Sequence, residues 1–402
     1  MAAKRPARAA ALYRSLDSAD PAIRLRLARA LEAEGKAAEA LKAYAEVRDL
    51  PDVLPEDAFV ASERLGALLC AEGRQIDAVA EYSRALGRLQ EPKFQEPLRA
   101  TRARTYYALG QLDKARDDFA LLQEAADPDC AAEARFFLVL CLYGLGEDER
   151  ARELASAYVA AYPDSPRIPD VLLWLAKSDF NRGAYAAAAK GFLDFTRRWP
   201  KDARVPQVLL LAARAAYQDS DYAQCVELVG RLAKEFPRAP LLPDARFLQA
   251  EALMELARHA EARDLLDALI RTAPTAPWIG EAYGRRGDCL LLTATDDPAR
   301  YALALEAYRE ALAHLESDPD AVLAYQYKIG RIFEKQLRRD DAAAQYAKLA
   351  YRVLSRPEIY SDQGLRYLQK ALIQLRAIEF ARGNRSGYET LLRRLRHAKL
   401  VD

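Results

Sequence analysis

The side chains that most often perform catalysis are few and scattered in this sequence. The three histidines are His259, His314 and His397, and their separation predicts neither a catalytic triad nor a metal cluster. The chain has no GxGxxG or GxxxxGK[ST] phosphate loop, no HExxH zinc motif and no GxSxG nucleophile elbow. Acidic pairs such as Asp117-Asp118 are sequence neighbours, which point about 100° apart on a helix and do not converge. We therefore expect no enzyme, no cofactor and no metal site.

The cysteines do not form a recognisable disulfide or zinc pattern. They are odd in number, widely spaced and without a CxxC pair: Cys70, Cys130, Cys141, Cys225 and Cys289. Four of them fall in predicted helices where a small apolar residue fits, so we expect buried free thiols. Free thiols are typical of a reducing compartment.

Aromatic and cationic side chains, in contrast, recur at regular intervals. Four aromatic residues and one methionine follow one another every 36 or 37 residues, and cations or further aromatics stand three or seven residues before them. These spacings place the set on one stripe of successive helices. Its members are Arg104, Tyr107, Phe136, Tyr143, Lys177, Phe180, Arg214, Tyr217, Phe247 and Met254. Tyr and Arg typically dominate interface energies, so the stripe is a candidate surface for binding a partner.

The interval arises from a repeat of two helices. In the second helix a small residue is followed by large apolar ones four and seven positions later, as in Ala40/Tyr44/Val47. This triad occurs nine times, at steps of 36 to 42 residues. The spacing of four and then three residues within the triad puts its members on one helical face. The first helix carries its own small residue about twelve positions earlier, and glycines such as Gly183 mark the turn between the helices. One pair cannot bury its apolar face alone, so stacked pairs are expected.

These residues resemble a known repeat family. The tetratricopeptide repeat (TPR) is matched by Leu65-Gly66, Leu69, Gly73, Ala78, Tyr82 and Ala85. A longer variant of this repeat occurs in bacterial envelope accessory proteins of the Tol–Pal and outer-membrane barrel-assembly type. This sequence resembles that variant at Tyr158–Pro163, Trp174-Leu175-Ala176, Gly183-Ala184-Tyr185, Ala188, Phe192 and Trp199-Pro200. The resemblance implies an all-α, right-handed superhelical solenoid of about nine to ten repeats with capping helices. It also implies that first helices line a concave groove.

The repeat pattern predicts three regions. Residues 1–20 form an N-terminal capping helix or half-repeat, and the chain could equally be a fragment of a longer repeat protein. Residues 21–353 form the solenoid, with an insertion near 293–299 that is either a surface loop or part of a binding face. Residues 354–402 form a degenerate repeat and cap whose basic cluster serves solubility or contacts something anionic.

The function expected from this resemblance is a non-catalytic scaffold or adaptor in a bacterial multiprotein assembly. Its concave groove would hold a protein or peptide with aromatic or aliphatic anchors and some acidic residues. Two alternatives remain open. The aromatic residues could wedge between neighbouring first helices and serve only the stack, and the chain could be a self-assembling structural module that forms homo-oligomers.

Charge and hydropathy limit the other partners. Lys+Arg total 60 and Asp+Glu total 59, giving a net charge of +1, which does not favour nucleic acid as a partner. The longest apolar run falls short of a membrane span, so no membrane insertion is expected. The first residues lack the apolar core of a secretory signal. The sequence as given is expected to be cytoplasmic, or periplasmic if a signal was removed.

Overall fold

Helices account for all the regular structure of the described chain. The structure, a computed structural model, describes residues 4–16, 20–294, 297–315 and 318–401, and in these ranges it has α-helices, one 3-10 helix and no strand. The predicted all-α fold is confirmed for those ranges. Residues 295–296 of the predicted insertion and residues 1–3 and 17–19 of the predicted N-terminal cap lie outside them.

The chain divides into two compact units, Met1–Asn181 and Arg182–Asp402. The helices of the first unit are α1 (Lys4–Ser15), α2 (Pro21–Ala33), α3 (Ala37–Asp49), α4 (Pro55–Ala71), α5 (Gln75–Arg88), α6 (Pro92–Ala108), α7 (Leu112–Leu121), α8 (Pro128–Gly144), α9 (Asp148–Ala161) and α10 (Ile168–Asn181). Four of its first helices open on a proline, which fits there because an N–H in the first turn has no helical partner to lose.

The second unit continues the alternation of helices. Its elements are α11 (Tyr185–Arg198), α12 (Val205–Gln218), α13 (Tyr222–Glu235), α14 (Leu242–Glu255), α15 (His259–Thr272), α16 (Ile279–Leu292), α17 (Pro298–His314), α18 (Pro319–Lys335), α19 (Arg339–Ser355), a 3-10 turn (Pro357–Ile359), α20 (Asp362–Ala381) and α21 (Arg385–His397). The region boundaries predicted after residues 20 and 353 stay a prediction.

Within each unit, helices pack against their neighbours in chain order. In the first unit α2, α4, α6 and α8 also contact one another in turn, and in the second unit α12, α14 and α16 do the same. First helices therefore stack on first helices, as the repeat requires. The predicted seam is confirmed: all nine triads of the second helices are buried, with Tyr44, Tyr82, Phe192 and Tyr308 among the largest fully buried side chains.

Most of the described turns inside the helix pairs share one conformation. Gly110 has φ +70°, its N–H bonds to the Tyr107 carbonyl and the next N–H bonds to the Tyr106 carbonyl, which is a left-handed helix end. Three turns of the second unit have the same conformation without glycine: Ser220, Ala257 and Leu337 have φ of 64°, 56° and 59°. Residues with a Cβ are strained there by about 1–2 kcal/mol.

Candidate functional site

The predicted stripe of the first unit lies on α6, α8 and α10, and its tyrosines contact neighbouring helices. The Tyr107 ring on α6 meets Phe137 of α8 edge-on at 5.3 Å, and the Tyr143 ring on α8 meets Trp174 of α10 at 5.4 Å. These rings therefore pack between successive first helices, as one alternative supposed. Tyr143 nevertheless remains 43% exposed, so part of the ring is open to a partner.

Other members of the stripe in the first unit differ in exposure. On α10, Lys177 is exposed and Phe180 is half-buried. On α8, Phe136 is buried, and the Arg167 guanidinium lies over its ring at 4.5 Å. Phe136 therefore supports the surface from beneath and is not an open contact.

A cluster of Arg104, Glu133 and Arg167 connects α6, α8 and the loop before α10. Arg104 and Arg167 both donate to the Glu133 carboxylate, at 3.1 and 3.3 Å. Two guanidinium groups share one carboxylate, so the cluster carries a net positive charge. Arg104 is about half exposed, which lets it meet a further anion without leaving Glu133.

In the second unit the stripe lies on α12 and α14. Phe247 is buried and stacks on Trp278 with ring centroids 4.9 Å apart and planes 7° apart, while Met254 is half-buried. The Tyr217 ring meets Tyr222 at 5.3 Å, and burial and the Glu251 carboxylate raise the pKa of Tyr217 to about 12. Tyr217 is therefore a neutral hydroxyl at physiological pH.

An open pocket of about 700 Å³ lies between α12 and the loop that enters α14. We call it the α12–α14 pocket, and its lining residues are Ala203, Pro206, Gln207, Leu210, Leu211, Arg214, Phe236, Pro237, Arg238, Ala239, Pro240 and Leu241. Most of these side chains are apolar, three are prolines, and the polar ones are two arginines and one glutamine. An apolar cavity of this size with few polar groups is the usual form of a binding pocket.

The arginines of the α12–α14 pocket have no acidic partner in the described ranges of the chain. Arg214 and Arg238 are exposed and make no ion pair with a described carboxylate. In the preceding loop, by contrast, Arg204 donates to Asp202 at 2.8 Å. The pocket therefore offers uncompensated positive charge beside apolar surface.

Two acidic residues on first helices of the second unit, Glu251 on α14 and Asp288 on α16, are paired with cations. Glu251 accepts from Arg285 at 3.2 Å, and burial raises the pKa of Glu251 although the arginine opposes this. Asp288 accepts from Lys328 at 2.6 Å and from the Tyr308 hydroxyl at 2.7 Å. These carboxylates stabilise the stack and leave little negative charge for a partner.

The residues considered for catalysis remain apart. His259, His314 and His397 lie on α15, α17 and α21, and no group of His, Cys, Asp and Glu able to hold a metal occurs within the described ranges. The cysteines are free thiols, and Cys141, Cys225 and Cys289 are buried. Among the helices that the structure describes, none combines the length and apolar character needed to cross a bilayer.

Two family models match separate stretches of the sequence. Residues 101–166 match the tetratricopeptide repeat. The chain therefore contains tetratricopeptide repeats. Residues 171–276, which include the α12–α14 pocket, match the family described as "Outer membrane lipoprotein". The predicted resemblance to the repeat is confirmed, and the second match agrees with a likeness to the outer-membrane barrel-assembly type.

A solved structure with tetratricopeptide repeats has a similar fold, and further solved structures resemble this chain to a lesser degree. The C-terminal part of a TPR repeat-containing protein from Cytophaga hutchinsonii has 17% identity and a TM-score of 0.50, covering 65% of this chain and 98% of that one. MamA from Desulfovibrio magneticus has 19% identity and a TM-score of 0.39, covering 47% and 96%. A STAND protein with a tetratricopeptide repeat sensor from Pyrococcus horikoshii has 16% identity and a TM-score of 0.44, and the match covers 75% of this chain and 51% of that one. No curated protein matches in sequence.

The stripe alone did not point to all the residues of the α12–α14 pocket. It contained Arg214 but not Arg238 or Leu241, which lie in a loop between repeats. A signal for them exists in the tetratricopeptide loops themselves: the Asp202 and Arg204 positions of one loop become Ala239 and Leu241 in the next. Where two apolar residues replace an ion pair on a loop, the loop presents apolar surface in place of paired charges. Such surface often marks an interaction site.

Proposed function

We propose that this protein is a non-catalytic scaffold that holds segments of another protein on the first-helix faces of its units. Tetratricopeptide-repeat proteins bind protein partners, and the fold is that of such a scaffold. The observation that carries the proposal is the α12–α14 pocket, because it is apolar, open and lined by the predicted stripe residue Arg214. Helices stacked in register are a rigid support for such a surface.

The partner segment would carry aromatic or aliphatic anchors and some acidic residues. In the first unit, the exposed part of Tyr143 offers an apolar contact, and the Arg104 cluster carries excess positive charge. In the second unit, the α12–α14 pocket combines both properties. Complementary charge speeds association and selects partners, while buried apolar anchors supply most of the affinity.

We further propose that the assembly belongs to the bacterial envelope. The support is the match of residues 171–276 to a family of outer membrane lipoproteins. In this proposal the chain acts beside a membrane-associated machine and joins its components through the first-helix faces.

A paired capture experiment tests the proposal. The baits are the wild-type chain, the Tyr143/Phe180/Tyr217→Ala variant and a matched control, Ile76/Leu121/Leu303→Ala. The control removes three exposed apolar side chains from second helices. We expect a partner from the native host to be retained by wild type and the control, and lost with the first variant.

Circular dichroism and melting temperature of the three baits establish that each is folded. Equal recovery of the same partner by all three would show that Tyr143, Phe180 and Tyr217 do not form the binding surface, and equal recovery by an Arg214→Glu/Arg238→Glu bait as well would contradict binding on the first-helix faces. Loss of the partner only with the control would place binding on the second helices. A mass that rises with concentration in ultracentrifugation, with no partner captured, would favour the self-assembling module instead.

A further inference from the structure

The α12–α14 pocket exists because one recurring pair of side chains changes size. A first-helix residue and the loop residue 31 positions later meet in neighbouring repeats. In one repeat Arg167 lies over Phe136 at 4.5 Å, and in another Trp278 stacks on Phe247 at 4.9 Å. In both cases a large side chain covers an aromatic ring.

At the same two positions the α12–α14 pocket has Leu210 and Leu241, and both line it. Two leucines cannot fill the space that a stacked pair of large planar groups fills. The prolines Pro206, Pro237 and Pro240 restrict the backbone around this gap. The pocket is therefore a fixed feature of the second unit.

The polar side chains around this gap favour a ligand with negative charge. Arg214 comes from α12 and Arg238 from the loop, and neither pairs with a described carboxylate. The carboxylate of Asp244, at the start of α14, has a different partner, because it accepts a hydrogen bond from the indole N–H of Trp278 at 2.7 Å. Gln207 adds an amide that can donate to and accept from a peptide backbone.

We propose that the α12–α14 pocket is an anchor site for an apolar side chain of a partner peptide that has a carboxylate on a neighbouring residue. The apolar side chain lies between Leu210 and Leu241, and the carboxylate meets Arg214 or Arg238. This inference rests on the proposed scaffold function and names the chemistry of one of its contacts. A volume of about 700 Å³ suits a few side chains rather than a whole domain.

A selection from random peptides displayed on phage, performed on the full chain, provides the probe. Enriched peptides are synthesised and their dissociation constants measured by fluorescence anisotropy. We expect a consensus of one large apolar residue with Asp or Glu within two positions. Binding should weaken as salt rises, because the arginines are exposed.

Two variants separate the parts of the site. Leu210→Phe/Leu241→Trp reproduces the stacked pair of Phe247 and Trp278 and fills the pocket without changing its charge. Arg214→Glu/Arg238→Glu reverses the charge without filling it. Each should weaken the selected peptide by at least about tenfold. The matched control Arg271→Glu reverses an exposed charge on α15 outside the pocket and should leave affinity unchanged.

A consensus without acidic residues, a failure to enrich any peptide, or binding that both variants leave intact would overturn the anchor site. If such peptides instead lose affinity with Tyr143→Ala/Phe180→Ala, the scaffold proposal stands and only the anchor site is wrong. Peptides insensitive to every one of these variants contradict both. Self-association that disappears in the filled variant would show a second copy of the chain as the occupant. If the filled variant does not fold, the charge-reversed variant decides the question.

Discussion

Replacing Gly287 with alanine tests the close approach of the two helices of one repeat. Gly287 lies on α16, and a Cβ there would stand 2.6 Å and 2.7 Å from Cε1 and Cδ1 of Tyr308 on α17. The Tyr308 ring is fully buried and its hydroxyl donates to Asp288, so it has little freedom to move. Overpacking of this kind costs about 1–3 kcal/mol, while replacing glycine inside a helix returns about 1 kcal/mol.

The matched control is Gly230→Ala on α13, in the same unit. No heavy atom lies within 4 Å of a Cβ added at Gly230, so this variant should gain about 1 kcal/mol from helix propensity alone. We expect the two variants to differ by about 1–3 kcal/mol in free energy of unfolding, with Gly287→Ala the less stable. Urea unfolding followed by circular dichroism measures the difference, and hydrogen exchange of α16 and α17 locates it.

A second substitution shows whether the ring is the cause. Ala250 on α14 and Leu266 on α15 occupy the corresponding positions of the preceding repeat, and both are fully buried. Tyr308→Leu should therefore reduce the cost of Gly287→Ala, as a double-mutant cycle would measure. If Gly287→Ala stabilises the chain as much as Gly230→Ala, the close packing described for this repeat is wrong.

Three further perturbations have defined outcomes. Leu337→Gly relieves a left-handed residue with φ 59° and should raise stability by up to about 1 kcal/mol, whereas an unchanged or lower urea midpoint would contradict the strain. Burial acts to raise the pKa of Glu32, but hydrogen bonds from Arg64 and Tyr44 hold it below its ordinary value of 4.5. The stabilisation by Glu32 is therefore present above that pH and lost as pH falls, so Glu32→Gln should lower the urea midpoint at pH 7 and much less near pH 3. Equal losses at both pH values would exclude this linkage. Burial raises the pKa of the Cys141 thiol to about 11 and that of the Cys225 and Cys289 thiols to about 12. Alkylation followed by mass spectrometry should therefore label these thiols only in urea, and labelling in the native chain would refute their burial.

The seam of each repeat could be predicted from the sequence because it depends on short spacings. A triad such as Ala40/Tyr44/Val47 lies within two turns of one helix, and all three members are fully buried. Glycines at the turns were equally readable, since Gly35 and Gly183 have the expected positive φ. The turns at Ser220 and Ala257 were not, because those residue types give no signal for a left-handed conformation.

The charge of the first-helix faces could not be predicted by following one stripe. Glu251 and Asp288 are acidic residues in the sequence, yet the cations that neutralise them come from other helices, 34 and 40 residues further along. Pairing across that distance depends on how repeats stack. The α12–α14 pocket has a similar origin, since it results from the smaller pair Leu210 and Leu241 rather than from any motif.

The most direct test of the scaffold proposal is site-specific photo-crosslinking in the native host. The photoreactive residue p-benzoylphenylalanine replaces Tyr143, Phe180 or Tyr217 on first helices, and Ile76, Leu121 or Leu303 on second helices. The second-helix positions are exposed by 72%, 65% and 42%, so access does not favour the first set. We predict covalent adducts with another protein from the first-helix positions and none from the second-helix positions. Equal adducts from both sets, or adducts from the second helices alone, would contradict binding on the first-helix faces.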